Sequence, residues 1–479
     1  MIDTQRIRAK ILASAMMGKL TEQLPEDGTA EDLYKRIQLE KQSLINRGMI
    51  KKGKHLEEII DEDIPFEIPV SWKWVRVGTV AEVAGGTTPS STEIKPSGSV
   101  PYFKVSDMNT PGNETHMIHA NSFISKEYSG KIFPAGTTIF PKNGGAALTN
   151  KRRMLVVPSA VDLNTGGCTP VVPEMADWIR LYMETIDFSR MDTGSNIPTV
   201  NATNLRKQLL SLPPIGEQKR IVAKIEQALS VLDTIDELQA QYADNLTVLK
   251  GKLIDAAIQG KLTKQLPEDG TAEELYHLIR DEKQELIKAG KIKRETPLPE
   301  ITSEEVPFAI PKNWKWVRWG ELSNQIQYGY NAPAKDSGRI KMVRITDIQG
   351  NRVNWQNVPY CDIDEYEIGE YKLYPRDILF ARTGGTVGKS YLVESVEEDS
   401  VFAGYLIRTN YSLRLNAKYM KYFMDSRLYW KQLQDGTTAT AQPNCNAKTL
   451  SKMMLPLPPK DEQERIVSVL DKALQVIDT

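Results

Sequence analysis

GKLTEQLPEDGTAEDLYKRIQLEKQSLINRG at residues 18–48 returns as GKLTKQLPEDGTAEELYHLIRDEKQELIKAG at 260–290. The echo runs on without a gap to IPFEIPVSWKWVR (64–76) and VPFAIPKNWKWVR (306–318). Over 18–76 and 260–318 the offset stays at 242 and 37 of 59 positions are identical, so the chain carries one scaffold twice. Within it, Thr29-x-x-Asp32 and Thr271-x-x-Glu274 read as helix starts of the capping-box kind. Leu33, Tyr34, Ile37, Lys41, Leu44 and Ile45 form one helical face, and Gly48 ends it. IPFEIPVSWKWVRVGTV (64–80), with its prolines and β-branched run, reads as entry into a sheet.

Upstream, Ile7, Ile11, Leu12 and Ala15 lie on one helical stripe and match Leu249, Leu253, Ile254 and Ala257 in the same register. A second repeat, LPPIGEQKRIVAKIEQALSVLDT (212–234) and LPPKDEQERIVSVLDKALQVIDT (457–479), shares 13 of 23 positions at an offset of 245. The proline pair opens a helix. In the first copy that helix is expected to run over about 216–259, on the stripe Ile221, Ile225, Ala228, Leu232, Ile235, Tyr242, Leu246, Leu249, Leu253 and Ala256. Thr479 corresponds to Thr234, and the piece expected next resembles residues 4–17. The repeat is therefore expected to be circularly arranged, with pseudo-two-fold symmetry and neighbouring termini.

Between these repeats lie two unlike stretches, 77–211 and 319–456, rich in short β pieces and in Gly, Pro and Asn turns. A helix is expected near Trp178–Ile186. Val105–Met108 aligns with Ile345–Ile348, and Phe140…Gly144-Gly145 with Phe380…Gly384-Gly385, both at an offset of 240. The expected fold class is α+β: two α/β domains separated by long antiparallel coiled-coil helices.

At 479 residues the chain exceeds one ordinary core. It is 40% hydrophobic and 26% charged, with no apolar run of the roughly 18 residues a membrane span needs. Its start is charged throughout and unlike a signal peptide. Cys168, Cys361 and Cys445 are scattered without ligand spacing, which reads as a reduced, cytoplasmic protein without a metal site. The net charge of −1 requires any nucleic-acid contact to come from local basic patches.

Catalytic signals are weak. In TGGTVGKS (383–390) a phosphate-binding loop would need glycine where Thr383 stands. The stretch reads instead as a turn bringing Lys389 to a DNA phosphate, or as a structural hairpin. His116-Met117-Ile118-His119 lacks further convergent ligands, and neither a methyltransferase nor a nuclease motif stands out. Loop residues with basic or amide side chains suit DNA, where phosphates fix position and bases fix sequence. The candidates are Asn109, Lys142, Asn143, Asn150, Lys151, Arg152 and Arg153 in the first domain. In the second they are Arg344, Thr346, Gln349, Asn351, Arg352, Arg382, Lys389 and Gln442. Trp72, Trp74, Trp314 and Trp316 belong to the repeated frame and read as packing groups.

The order of these parts resembles the specificity subunit of type I restriction–modification enzymes. The resemblance rests on Leu212-Pro213-Pro214…Glu217-Gln218…Ile221-Val222, on Leu457-Pro458-Pro459…Glu462-Gln463…Ile466-Val467, and on the paired tryptophans. Ala381–Lys389 and Gly436–Asn444 also fit that family's recognition domains, whereas the first domain has PKNGGAALTNKRR and TGSNIPTVN instead. The implied plan is N-terminal scaffold helices (1–62), first target-recognition domain (63–213), central helical region (214–303), second recognition domain (304–458) and C-terminal helix (459–479). The resemblance implies a subunit without catalysis or cofactor of its own, reading double-stranded DNA as two unlike half-sites. S-adenosylmethionine, ATP and Mg would belong to its partners, two methyltransferase (modification) subunits and the restriction (motor and nuclease) subunits. No membrane is involved. The competing readings are a catalytic DNA methyltransferase and a protein-only coiled-coil scaffold.

Overall fold

The computed structural model describes residues 1–53, 55–125, 127–191, 199–436 and 445–478. The chain divides into two compact units, Met1–Ala240 and Gln241–Thr479.

In the first unit the Asp3 carboxylate accepts from the Arg6 amide and starts the first helix, Thr4–Met16. The second helix, Ala30–Asn46, starts where Thr29 Oγ1 accepts from the Asp32 amide at 3.3 Å. It ends at Gly48, whose φ of +70° lets the Gly48 and Met49 amides reach the Ile45 and Leu44 carbonyls, each at 2.9 Å. Its Ala30, Leu33 and Ile37 are buried, and Lys41 Nζ donates to the Gly78 carbonyl at 2.5 Å.

The globular part opens and closes on one strand pair. Lys73–Arg76 runs antiparallel to Leu209–Leu212, with Lys73 opposite Leu212. Entry and exit of the domain are thus tied together beside the scaffold. Between them, one five-stranded sheet has the order Ala81–Gly85, Thr165–Pro170, Thr138–Pro141, Arg153–Leu155, His116–Met117. A second has the order Ile94–Lys95, Phe123–Ile124, Val100–Phe103, Ser159–Val161, Ile132–Phe133. The expected helix is present as Ala176–Thr185, with Trp178, Ile179, Leu181 and Met183 buried.

The second unit repeats this plan. Lys315–Arg318 pairs antiparallel with Met454–Leu457. The order Ser323–Tyr328, Leu406–Tyr411, Ile378–Ala381, Ser390–Leu392 reproduces four strands of the first large sheet. The parallel pair Ile340–Val343 and Ser400–Phe402 reproduces Val100–Phe103 and Ser159–Val161. Helix Ala417–Asp425 stands where Ala176–Thr185 stands in the first unit. A further helix, Arg427–Gly436, has no counterpart among the described residues of the first.

One uninterrupted helix, Ile215–Ile258, passes from the first unit into the second. Its 44 residues correspond to about 66 Å at 1.5 Å per residue. Within the first unit the opening helix runs antiparallel to the early part of this long helix. Thr4 Oγ1 donates to Asp236 at 2.6 Å, and Arg8 reaches Asp233 at 2.8 Å and Asp236 at 2.9 Å. Within the second unit the late part of the long helix meets the closing helix, Lys460–Asp478, through Lys250 and Asp478. Each unit therefore holds one helix pair, as a circularly arranged repeat requires. The apolar stripe departs from expectation in one respect. Ile221, Ile225 and Leu232 are buried and Leu253 and Ala256 half-buried, but Tyr242 is 62% and Leu249 44% exposed, so the seam is not closed along the whole helix.

The joint of each unit explains why both repeats are kept. Glu217, 1% exposed, accepts from Trp72 Nε1 at 2.7 Å, Gln23 Nε2 at 2.8 Å and Thr21 Oγ1 at 3.2 Å. Glu462 does the same with Trp314 (2.8 Å), Gln265 (2.9 Å) and Thr263 (3.0 Å). Arg220 forks onto Asp27 at 2.8 and 2.5 Å, and Arg465 onto Asp269 at 2.6 and 2.5 Å. The Glu-Gln…Ile-Val helix start, the Thr-x-Gln-Leu-Pro-Glu-Asp connector and the first tryptophan are one hydrogen-bonded knot.

Candidate nucleic-acid interface

The loops that follow Thr138–Pro141 and Ile378–Ala381 occupy equivalent places and are opened by equivalent glycines. Gly144 has φ +72° and Gly384 φ +76°, a backbone that favours glycine. A β-carbon there would touch nothing within 4 Å, so the requirement is conformational rather than steric.

Immediately before each turn stands a cation. The Lys142 amide donates to the Asn164 carbonyl at 2.7 Å, and its carbonyl accepts from Val200 at 2.8 Å. The Arg382 amide donates to the Tyr405 carbonyl at 3.1 Å, and its carbonyl accepts from Cys445 at 2.9 Å. The neighbouring strands end at Gly85 and Tyr328 respectively. Each is followed by a glycine, Gly86 or Gly329, whose β-carbon would lie 2.3 Å from a backbone carbonyl oxygen.

The first unit joins several candidate residues. Lys151 Nζ donates to Asn109 Oδ1, bringing the loop after the turn onto the short helical turn Val105–Asn109. Asn143 Nδ2 donates to Asn164 Oδ1 at 3.3 Å. Asn150 adopts the left-handed backbone, φ +53°, and its Oδ1 accepts from the Phe188 amide at 3.0 Å. Arg152 is 2% exposed. Its guanidinium donates to the Met183 and Ile186 carbonyls at 2.9 and 2.7 Å and lies 3.4 Å from the Phe188 ring centroid. Burial lowers its pKa to about 9, which leaves it charged at neutral pH. Arg152 thus anchors the loop from inside, and no face of it is offered to a ligand. Arg153, also shifted down by burial, is half-buried on strand Arg153–Leu155 and bonds the Arg152 carbonyl at 2.8 Å.

In the second unit Arg344 caps a helical turn and forks onto Asp347 at 3.1 and 2.8 Å, which raises its own pKa. Thr346 is exposed beside it. Next comes a two-residue hairpin, Ile348–Gln349 with Arg352–Val353, turning at Gly350 (φ +56°) and Asn351 (φ +59°). Gln349, Asn351 and Arg352 crowd its exposed tip. Lys389, exposed, closes the glycine turn; Gly388 within it packs under Trp430 and Leu433 of helix Arg427–Gly436. Gln442 lies outside the described residues.

Three residues of this surface escaped sequence reading: Asn164, Tyr328 and Tyr405, the last 67% exposed. Their trace is the glycine shared at 86 and 329, whose offset of 243 is out of step with the landmarks at 240. The four scaffold tryptophans pack as expected. Trp72 and Trp314 are each 6% exposed, while Trp74 and Trp316 stand edge-on to Phe66 and Phe308 at 4.9 and 5.1 Å. Among the described residues no cluster of His, Cys, Asp or Glu could hold a metal, and no helix is long and apolar enough to cross a membrane.

Two unlike loop surfaces on one twice-used frame define a class of paired recognition modules. The model of the type I restriction modification DNA specificity domain matches residues 69–241 and 311–479, and the chain belongs to that family. The type I restriction enzyme EcoAI specificity subunit of Escherichia coli is 26% identical, over 98% of this chain and 89% of that protein. The EcoEI specificity subunit, also from Escherichia coli, is 25% identical over 99% and 89%. A solved chain, from work on complex assembly and conformational transition of the type I R-M system, has the same fold. Its TM-score is 0.58 at 18% identity, covering 86% of this chain and 93% of that one. These relatives are specificity subunits, and the catalytic methyltransferase reading is not favoured.

Proposed function

We propose that this chain is the DNA-reading, non-catalytic subunit of a type I restriction–modification complex, with recognition domains at 63–213 and 304–458. One observation carries this reading. The same backbone frame appears twice, down to the hydrogen bonds around Lys142 and Arg382, while the side chains mounted on it differ. A shared frame suits two equivalent partners, and unlike loops suit two unlike half-sites. The contact set comprises Asn109, Lys142, Asn143, Asn150, Lys151 and Arg153 in the first domain. In the second it comprises Arg344, Thr346, Gln349, Asn351, Arg352, Arg382, Lys389 and Gln442. Arg152 is left out because its guanidinium is used internally.

The partners are double-stranded DNA, two modification subunits that use S-adenosylmethionine, and restriction subunits that use ATP and Mg, all in the cytoplasm. The exposed apolar residues of the long helix, Val231, Leu238, Tyr242 and Leu249, support its role in docking the modification subunits. The test maps methylated adenines in DNA exposed to this chain with its modification partner. A split motif is expected, two unrelated short half-sites around a fixed, unread spacer. A continuous or palindromic motif would overturn the reading.

A further inference from the structure

Lys142 and Arg382 hold equivalent places by every backbone criterion: the residue after the strand, the two flanking hydrogen bonds, the following glycine turn. Their side chains meet different surroundings. Arg382 lies with its guanidinium carbon 4.6 Å from the centroid of the Tyr328 ring. That ring is itself fixed, because the Tyr328 hydroxyl accepts from the Ala447 amide at 3.1 Å. The Arg382 Nε is buried and has no hydrogen-bond partner among the described residues. Other cations of this unit differ: Arg344 forks onto Asp347, Lys341 pairs with Glu398 at 2.9 Å, and Arg408 sits 3.7 Å from Asp377. In the first unit the place of Tyr328 is taken by Gly85. A β-carbon there would stand 3.0 Å from Lys142 Nζ. Among the described residues Lys142 therefore lies on no aromatic ring.

We propose that this matched pair divides the two tasks of DNA recognition. Arg382, oriented by Tyr328, reads the edge of a guanine in the second domain's half-site, whereas Lys142 contacts a phosphate in the first domain's. The physical ground is the difference between the two cations. A guanidinium held flat presents a fixed fork that matches guanine O6 and N7. A mobile ammonium is a point charge that neutralises phosphate without reading sequence. Tyr328 is a positioning residue, acting through Arg382. The assignment rests on the DNA-reading function proposed above.

The experiment uses the full chain assembled with its modification partner. It compares the wild type with Arg382→Ala, Arg382→Lys, Tyr328→Phe, Tyr328→Ala and Lys142→Ala, reading both the methylated motif and the salt dependence of DNA binding. Arg382→Ala and Arg382→Lys should relax one guanine position of one half-site by roughly 5- to 150-fold, leaving the other half-site intact. Tyr328→Ala, which removes the ring, should relax the same guanine position; Tyr328→Phe, which keeps the ring but loses the bond from the Ala447 amide, should relax it less. Lys142→Ala should weaken binding evenly across sequences and reduce the salt slope by about one. An unchanged motif in Arg382→Lys, whose positive charge is retained, would overturn the base-reading role. So would relaxation at several positions at once. A changed motif in Lys142→Ala would overturn the phosphate role. Absence of any split motif with the wild type would instead refute the DNA-reading function itself.

Discussion

Replacing Glu217 by Gln tests whether the buried joint is held by its hydrogen bonds or only by its shape. The change conserves volume but turns an acceptor-only carboxylate into a group with one acceptor and one donor end. In the native joint one oxygen faces Trp72 Nε1–H at 2.7 Å and the other faces Gln23 Nε2–H at 2.8 Å and Thr21 Oγ1–H at 3.2 Å. Whichever way the new amide turns, its NH2 confronts an N–H. The milder orientation points it at Gln23. That residue cannot flip in response without losing its bond to the Gly18 carbonyl at 3.1 Å. A lost charge-assisted bond costs about 1.5–3 kcal/mol, and a stranded buried donor about 1–3 kcal/mol. The expected loss is therefore roughly 3–5 kcal/mol, a large share of the ~5–15 kcal/mol that holds a typical domain. Urea unfolding of the full chain, followed by far-ultraviolet circular dichroism, measures it. Trp72→Phe removes the confronting N–H, so the double variant should be less destabilised than the sum of the singles by about 1–2 kcal/mol. Glu462→Gln and Trp314→Phe repeat the cycle in the second unit, where the bonds are 2.8, 2.9 and 3.0 Å. A Glu217→Gln loss below about 0.5 kcal/mol, or strict additivity with Trp72→Phe, would refute the reasoning.

Acidification should loosen both joints. The Arg220 hydrogen bond holds the Asp27 carboxyl below the ordinary carboxylate value, as Arg465 does for Asp269. The unfolded chain then binds these protons first, so their stabilisation is complete above the ordinary value of 3.8 and is lost as pH falls through the lower folded value. Thermal melts from about pH 6 to 3 should steepen in the parent below ~pH 4 and be flatter in Asp27→Asn with Asp269→Asn. Gly18→Ala should cost at least about 1–2 kcal/mol for its left-handed backbone alone. A β-carbon there would also lie 2.4 Å from Pro69 Cγ, and Gly260→Ala faces Pro311 Cγ at the same distance; chemical denaturation reads both. Leu238→Lys with Tyr242→Lys should abolish co-purification with the modification subunit while leaving the melting curve of the chain in place, since both residues are exposed. Seven residues inserted near position 240 should lengthen the unread spacer or abolish activity without altering either half-site; methylation mapping decides, and altered half-sites would refute the helix as ruler.

Legibility in the sequence followed the physics of each part. Helix starts at Thr29 and Thr271, stops at Gly48 and Gly290, and the proline-led long helix were readable because local rules set them. The joint was not. Glu217 in an amphipathic helix start looks like a solvated residue, and only the fold brings Trp72, Gln23 and Thr21 around it. Arg152 failed in the opposite direction. Its neighbours Lys151 and Arg153 mark a basic loop, but three consecutive residues cannot all point outward where one must anchor the turn against Phe188. Asn164, Tyr328 and Tyr405 were hidden because they come from strand ends far apart in sequence. A shift of three residues between glycine landmarks obscured their common frame.

The same contrast explains how two domains of one chain can diverge so far. Fixed backbone bonds around Lys142 and Arg382 use amides and carbonyls, which every residue except proline supplies, so the side chains there vary without moving the frame. The joint works the other way. A carboxylate buried among three donors accepts no substitute of equal shape, since any neutral replacement strands a donor. Side-chain chemistry at the joint and backbone chemistry at the loops thus set different limits on change. The repeat stays close to identical where side chains hold it, and it drifts where the main chain does.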